Sequence, residues 1–303
     1  MPSAIIVHGG AGAIPPELSE VYQAGCKEAA LIGWRILQAG GAALDAVEAA
    51  VRSLEDNPYY NAGTGAGPTE EGKVELDAGM MDGYRLDVGA VADVERIKNP
   101  ISLARKVLES PHVLLVGRGA EQFAQEQGIP LCRVEDLLTG PRYERWLAEH
   151  SQRVKHNPGK SPLETKMPEK HGTVGAVALD DLGRLAAATS TGGILNKYPG
   201  RVGDTPLVGC GFYADENAAI SCTGHGEDFI RLLIAKRAAD FVARGDSARR
   251  AAEAAIAVLG AKAEGVGGLI VVDRIGNIGF AWNSQTMAYA YIAEGMGEPI
   301  TGV

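Results

Sequence analysis

Cysteine is scarce in this sequence. Four occur in 303 residues, at Cys26, Cys132, Cys210 and Cys222, with no CxxC pair and no Cys/His spacing of a zinc site. That excludes a disulfide framework and a cysteine-held metal, and it fits reduced, mostly buried thiols in a cytoplasmic protein. Long apolar runs are missing too. Nothing approaches the ~18 consecutive apolar residues of a membrane-crossing helix, so no membrane partner is expected. The opening MPSAIIVHGGAG has no basic n-region and passes straight into a strand-like run, so no secretory leader is expected. Positive charge is the third shortage. Lys and Arg number 29 against 38 Asp and Glu, a formal net charge of −9, which argues against a nucleic-acid partner because phosphate binding needs a basic face.

Two common active-site signatures are absent as well. VHGGAGAIPP has Gly10 and Gly12 but Pro15 where a dinucleotide fingerprint needs its third glycine, and LLVGRGAEQF has Gln122 there after Gly117 and Gly119. A bulky third residue blocks close helix–strand packing. HGGAG after a strand resembles the oxyanion loop of an α/β-type esterase, but that enzyme also needs G-x-S-x-G. Only Ser161 and Ser247 have glycine two residues before, and neither has glycine two after.

What is present is glycine. The 40 glycines cluster in short patches beside Thr, Asn and His, which implies close backbone approaches to ligand or to other backbone. Length and the ordinary 46% apolar content allow two domains or one large one. SAIIVHGG reads as a buried strand, and 17–39 and 42–56 carry helical periodicity, the second stopped by Pro58. KVELDAGMMDG and RLDVGAVADV read as successive strands, PISLARKVLES as a helix, and HVLLVG as a buried strand. Helices follow near 119–127 and 141–152. Beyond residue 172 the pattern is a strand pair over 173–191, another over about 206–223, and two amphipathic helices in GEDFIRLLIAKRAADFVARG and SARRAAEAAIAVLGAKA. Strands in GGLIVVDRIGNIGFAWNS and MAYAYIA close the chain. Blocks of helices between blocks of strands favour sheets sandwiched by helices over strict βαβ alternation.

Residues 154–170 hold three prolines, four lysines and only Val154, Leu163 and Met167 as apolar side chains. Such a segment buries too little to offset its ordering entropy and reads as a flexible linker. It ends abruptly at HGTVGAVALD, where a strand begins at Thr173. Two readings stand. Thr173 is an ordinary residue at a loop–strand junction. Alternatively, the Gly172–Thr173 bond is cut, so that the Thr173 hydroxyl becomes a nucleophile and its own α-amino group, titrating near ~8, becomes the base. Gly172 tolerates the strained backbone such a cut demands.

HGTVGAVALD, TSTGGILNKYPGRVGDTPLVGCGFYAD and SCTGHGEDF occur in an order and spacing that resemble the plant-type asparaginase / isoaspartyl peptidase family of N-terminal nucleophile hydrolases. The resemblance runs from VHGGAG to TMAYAY. It implies a four-layer αββα sandwich of the α+β class, one domain over 1–303, cleaved into 1–172 and 173–303. It further implies an autocatalytic nucleophile, Thr173, released by cleavage after Gly172. Thr191 resembles the threonine that orients it, and Arg201 and Asp204 the pair that grips the substrate's α-carboxylate and α-ammonium. Thr223 and Gly224 resemble wall and oxyanion-hole groups, Gly226 a backbone contact to the amino-acid head, and Asn61 the other oxyanion donor. The loop Leu54, Glu55, Asn57, Tyr60, Ala62, Thr64 resembles a sodium loop that binds through main-chain carbonyls; no organic cofactor is implied. Substrates would be L-asparagine and isoaspartyl dipeptides, and the mature protein a homodimer of cleaved units. Gly172 stands where lysosomal glycosylasparaginases typically carry Asp, which favours the isoaspartyl peptidase branch. A glycosylasparaginase-like amidase, or a cleavage-incompetent relative that only binds amino acids, are the alternatives. His8, His171 and His225 lie beside these motifs and are read as structural.

The residue chemistry agrees with this set. Arginine offers a two-pronged fork for a carboxylate, an aspartate three residues on can take an ammonium, and Asn61 with the Thr223–Gly224 segment supplies donors for a developing oxyanion. An exposed Arg201/Asp204 ion pair, an Asx turn at Asn61 and a helix cap at Thr223 are the plain structural readings.

Overall fold

The structure is a computed structural model that describes residues 1–156 and 172–303. In chain order the elements are β1 (Ala4–Gly12), α1 (Ser19–Gln38), α2 (Ala43–Glu55), β2 (Leu76–Asp82), β3 (Asp87–Val94), α3 (Pro100–Leu108), β4 (Leu114–Val116), α4 (Gly117–Glu126) and α5 (Gly140–His156). Then follow β5 (Val174–Leu179), β6 (Leu185–Thr191), β7 (Phe212–Ala214), β8 (Ala218–Gly224), α6 (Gly226–Leu232), α7 (Ile234–Ala243), α8 (Ala248–Lys262), β9 (Gly267–Asp273), β10 (Ile278–Trp282), β11 (Thr286–Ala293) and β12 (Ile300–Gly302). Among the described residues the strands form one sheet in the order β12-β11-β1-β5-β6-β2-β3-β4 and a second in the order β10-β9-β8-β7. Pairing is antiparallel except between β3 and β4. The fold is mixed α/β.

Alternation along the central strands sorts side chains into separate cores. On β1, Ile5 and Val7 pack towards α1 and α2, whereas Ala4 and Ile6 face the second sheet. On β5, Val174, Ala176 and Ala178 take the first side and Val177 and Leu179 the other. Both faces of these strands are buried, which is why they read as continuous apolar runs rather than as alternating patterns. A third cluster joins Ile220, Cys222, Leu269 and Val271 of the second sheet to the alanine-rich faces of α7 and α8. All four cysteines are free, three of them buried and Cys132 half-buried. Among the described residues no helix is long and apolar enough to cross a membrane.

Three expectations need correction, and one strand adds to them. HVLLVG is not a buried strand: β4 is the sheet's edge, with Val113 and Val116 more than half exposed. The single helix expected over 226–245 is broken at Leu233, whose backbone is left-handed (φ 51°, ψ 50°), giving α6 and α7. β12 was not expected; its three residues are too short for a periodic signal. The linker expected at 154–170 cannot begin at 154, because α5 continues to His156. Gln152, Arg153 and Lys155 are good helix formers, and Asn157-Pro158 follow. The rest of that segment, and His171, lie outside the described residues.

Candidate functional site

The register puts two threonines side by side. Val174 of β5 pairs with Ser190 of β6, so Thr173, one residue earlier, falls beside Thr191 near the middle of the large sheet. Both are almost fully buried, and the Thr173 hydroxyl donates to Thr191 Oγ1 at 3.2 Å. Thr191 Oγ1 also accepts the Gly193 N–H at 3.0 Å. Asn61 closes the chain: its Nδ2 donates to the Gly193 carbonyl at 2.5 Å and its Oδ1 accepts the Gly67 N–H at 2.8 Å. Asn61 therefore has one amide hydrogen left for another acceptor.

The glycines of HGGAG explain their own presence. Gly10 has φ +106°, and a Cβ there would lie 2.7 Å from Gly172 Cα. The irregular end of β1 thus presses directly on the residue before Thr173. A Cβ on Gly172 would in turn meet Asn61 Cβ and Arg142 Nη2, both at 3.0 Å. Gly9 lies against the ring of Tyr60, whose hydroxyl donates to the Tyr22 carbonyl at 2.6 Å.

The second sheet reaches the same end of β1. Thr223, fully buried at the end of β8, accepts the Ala11 N–H at 3.1 Å. Gly224 pairs with Gly267 on β9, where a Cβ would meet Gly267 Cα at 2.7 Å. Gly226 opens α6 beneath Arg201; a Cβ there would come within 2.9 Å of Arg201 Nη2 and 3.0 Å of Asp204 N. Asp204 is buried, and its Oδ2 has no hydrogen-bond partner among the described residues. Burial pushes its carboxyl up to about 7, partly offset by the Arg201 charge.

One expectation changes here. Arg201 does not present an open fork: its Nε and Nη2 donate to Glu227 at 2.9 and 2.7 Å. Burial raises Glu227, but the hydrogen bonds and charge of Arg201 overcome it and hold the carboxyl down to about 2. In sequence Glu227 was only a helix-start acid; nothing there links it to a residue 26 positions earlier.

The sequence marks His8 as structural, with no nucleophile paired to it. Its Nε2 lies 2.8 Å from Ser221 Oγ, and both are fully buried. They fill the space above Gly175, where a Cβ would be 2.0 Å from Ser221 Oγ. Burial pushes His8 down to about 3, with the Thr173 backbone a smaller opposing influence. A neutral imidazole whose Nδ1 has no partner among the described residues lacks the carboxylate of a serine triad. It packs between the sheets, under Thr173. His225 Nδ1 pairs with Asp228 at 2.8 Å.

The loop from Leu54 to Thr64 curls on its own carbonyls. Thr64 N–H donates to Glu55 O at 2.8 Å and Tyr60 N–H to Asn57 O at 3.1 Å. At Gly63 (φ +52°) a Cβ would meet the carbonyls of Glu55 and Lys98, both at 2.7 Å. Glu55 Oε2 and Thr64 Oγ1 are buried without partners among the described residues, and burial pushes Glu55 up to about 8. Oxygen-rich backbone beside a carboxyl with one free oxygen, the other accepting the Ile101 N–H at 2.9 Å, is a donor set of the kind a hard cation takes.

Known proteins are similar to this chain along nearly its whole length. The family model described as Asparaginase matches residues 1–300. The plant-type L-asparaginase of Pyrococcus horikoshii is 50% identical over 310 residues, covering 99% of both chains. Proteins named isoaspartyl peptidase/L-asparaginase from Danio rerio and Rattus norvegicus are 44% and 45% identical, covering 96% of this chain and 92% and 86% of theirs. Agreement of that extent, with the glycine turn, the paired threonines and the arginine loop all inside it, makes this chain a member of the asparaginase family.

Proposed function

We propose that this protein is a self-processing threonine amidohydrolase that converts L-asparagine to L-aspartate and ammonia and cleaves β-aspartyl dipeptides. The observation that carries this is the buried Thr173–Thr191 hydroxyl contact at 3.2 Å, directly after a Gly172 pinned by Gly10. The relatives' names point to the same two substrates. The fold assigned to it is the four-layer αββα sandwich of N-terminal nucleophile hydrolases, a single domain in which 1–172 supplies Asn61 and 173–303 the nucleophile.

Maturation begins as the Thr173 hydroxyl adds to the Gly172 carbonyl carbon. The peptide C–N bond breaks, the hydroxyl proton ends on the departing nitrogen, and water hydrolyses the resulting ester. In turnover the freed α-amine takes the Thr173 proton as the oxygen attacks the side-chain carbonyl. Ammonia or an amino acid leaves with a proton, and water releases aspartate. Thr191 holds the nucleophile in place. The developing oxyanion is met by the spare amide hydrogen of Asn61 and by the Thr223–Gly224 segment. Arg201 receives the α-carboxylate, Asp204 the α-ammonium, and Gly226 leaves room for the head group. A sodium ion held by main-chain oxygens of Leu54, Glu55, Asn57, Tyr60, Ala62 and Thr64 would stiffen the loop carrying Asn61. Two cleaved units assemble as a homodimer in the cytoplasm. A denaturing gel with N-terminal sequencing tests the reading: two fragments, one starting at Thr173, together with asparagine hydrolysis, support it. Full activity in an uncut chain would remove it.

Because Glu227 occupies the fork, substrate must displace it. Glu227→Gln should weaken that internal bond by ~1 kcal/mol and lower KM for L-asparagine about three- to tenfold. A raised KM would mean that Glu227 positions Arg201 instead.

The pH profile has a defined sign. Asp204 must be ionised to take the ammonium, and it gains that charge only as pH rises through about 7. The Thr173 amine must be neutral, near ~8 in the absence of perturbation. kcat/KM should therefore fall on the acid side with a limiting slope of two. kcat should fall with a slope of one, because bound ammonium keeps Asp204 ionised. Equal slopes would take Asp204 out of the head-group site.

A further inference from the structure

Beside the scissile link lies a cavity of about 150 Å³ that the reaction scheme above leaves unused. Its lining includes residues 9–15, the end of β1 and the loop after it, together with Asn61, Gly172, Arg142 and Arg145. In a protein with net charge −9, none of the described residues lining it is acidic. Arg145 is committed to Glu149 at 2.5 Å. Arg142 has only neutral partners among the described residues: Nη1 donates to the Tyr59 carbonyl at 2.7 Å and Nη2 to the Tyr22 hydroxyl at 3.1 Å. These bonds fix the guanidinium against Gly172, with Nη2 3.0 Å from a Cβ built there. Arg142 also sits in the first turn of α5, whose dipole adds positive potential at that end.

We propose that Arg142 and this cavity form a carboxylate subsite for the amino acid that leaves a β-aspartyl dipeptide. The inference rests on the hydrolase reading above and deepens it. The head group goes to Arg201 and Asp204, neither of which lines this cavity, whereas Asn61 and Gly172 both do, so the space is left to the departing half. The dipeptide's leaving nitrogen carries its α-carboxylate two bonds on. That is within one residue's ~3.8 Å step of the scissile atoms, and Arg142 Nη2 lies 3.0 Å from a Cβ built on the adjoining Gly172. A cavity of about 150 Å³ is large enough to take a benzene-sized molecule, enough for an amino-acid backbone with its side chain leading out. L-asparagine, which releases only ammonia, has nothing to place there.

The test compares a β-aspartyl dipeptide with the same dipeptide amidated at its C-terminus, using kcat/KM per mole of free Thr173 terminus so that incomplete cleavage cannot distort the ratio. Wild type should prefer the free acid by about tenfold or more, the scale of one charge-assisted contact. Arg142→Gln should bring the acid-to-amide ratio close to one, and Arg142→Lys should restore part of it. A purely structural Arg142, clamping α5 to Tyr59 and Tyr22, would shift both substrates together and leave the ratio unchanged, which overturns the proposal. A ratio near one in wild type overturns it without any variant. Failure of the cleaved wild type to hydrolyse either dipeptide or L-asparagine would instead remove the hydrolase reading and the subsite with it.

Discussion

Thr173→Ala is expected to run as a single full-length band and to hydrolyse neither L-asparagine nor a β-aspartyl dipeptide. The substitution removes the atom that adds to the Gly172 carbonyl, so the peptide bond persists and the α-amine is never freed. One residue thus loses nucleophile and base together, and turnover should fall below detection rather than by a fixed factor. The structural cost is small by comparison. One 3.2 Å hydroxyl contact disappears, worth ~1 kcal/mol, and circular dichroism should match wild type. Thr173→Ser keeps both hydroxyl and amine and should cut and turn over at a reduced rate, since it loses the β-branch that restricts χ1. Hydrolysis by the alanine variant would end the threonine mechanism.

Asn61→Ala should carry the next largest effect, a loss on the order of 10²–10³ in kcat with little change in KM, as when one oxyanion donor is removed. It also strips partners from the Gly193 carbonyl and the Gly67 N–H, each worth ~1–3 kcal/mol if left unsatisfied, so the melting temperature should drop. Asn61→Asp separates the two roles. It keeps the shape and can still accept from Gly67, but it cannot donate. If the aspartate variant turns over as fast as wild type, Asn61 is structural and the oxyanion is held elsewhere.

How much of this was legible beforehand depends on whether a residue's partner lies close in sequence. The strand starting at Val174 and the helix α2 stopping before Pro58 were readable because alternation, periodicity and proline act locally. The break at Leu233 was not: its stretch has an unbroken helical pattern, and a leucine in left-handed conformation is sustained only by its surroundings. Nor was the exposure of β4, since an edge strand and a buried strand can share one apolar composition. Arg201 was readable as a fork, but its capture by Glu227 was not, because a loop and a helix start had to be folded together first. The same holds for His8 against Ser221, separated by 213 residues.

The sequence by itself determined the kinds of groups available and the local frame of each: a threonine after a glycine at a strand's start, an arginine and an aspartate three apart, an asparagine in a glycine turn. Only the tertiary structure decided which of them meet, how buried they are and which charges already have partners. Hydrogen bonds and desolvation act over a few ångströms in space. Neighbours along the chain are therefore fixed by residue type, whereas neighbours across sheets exist only once both sheets are packed.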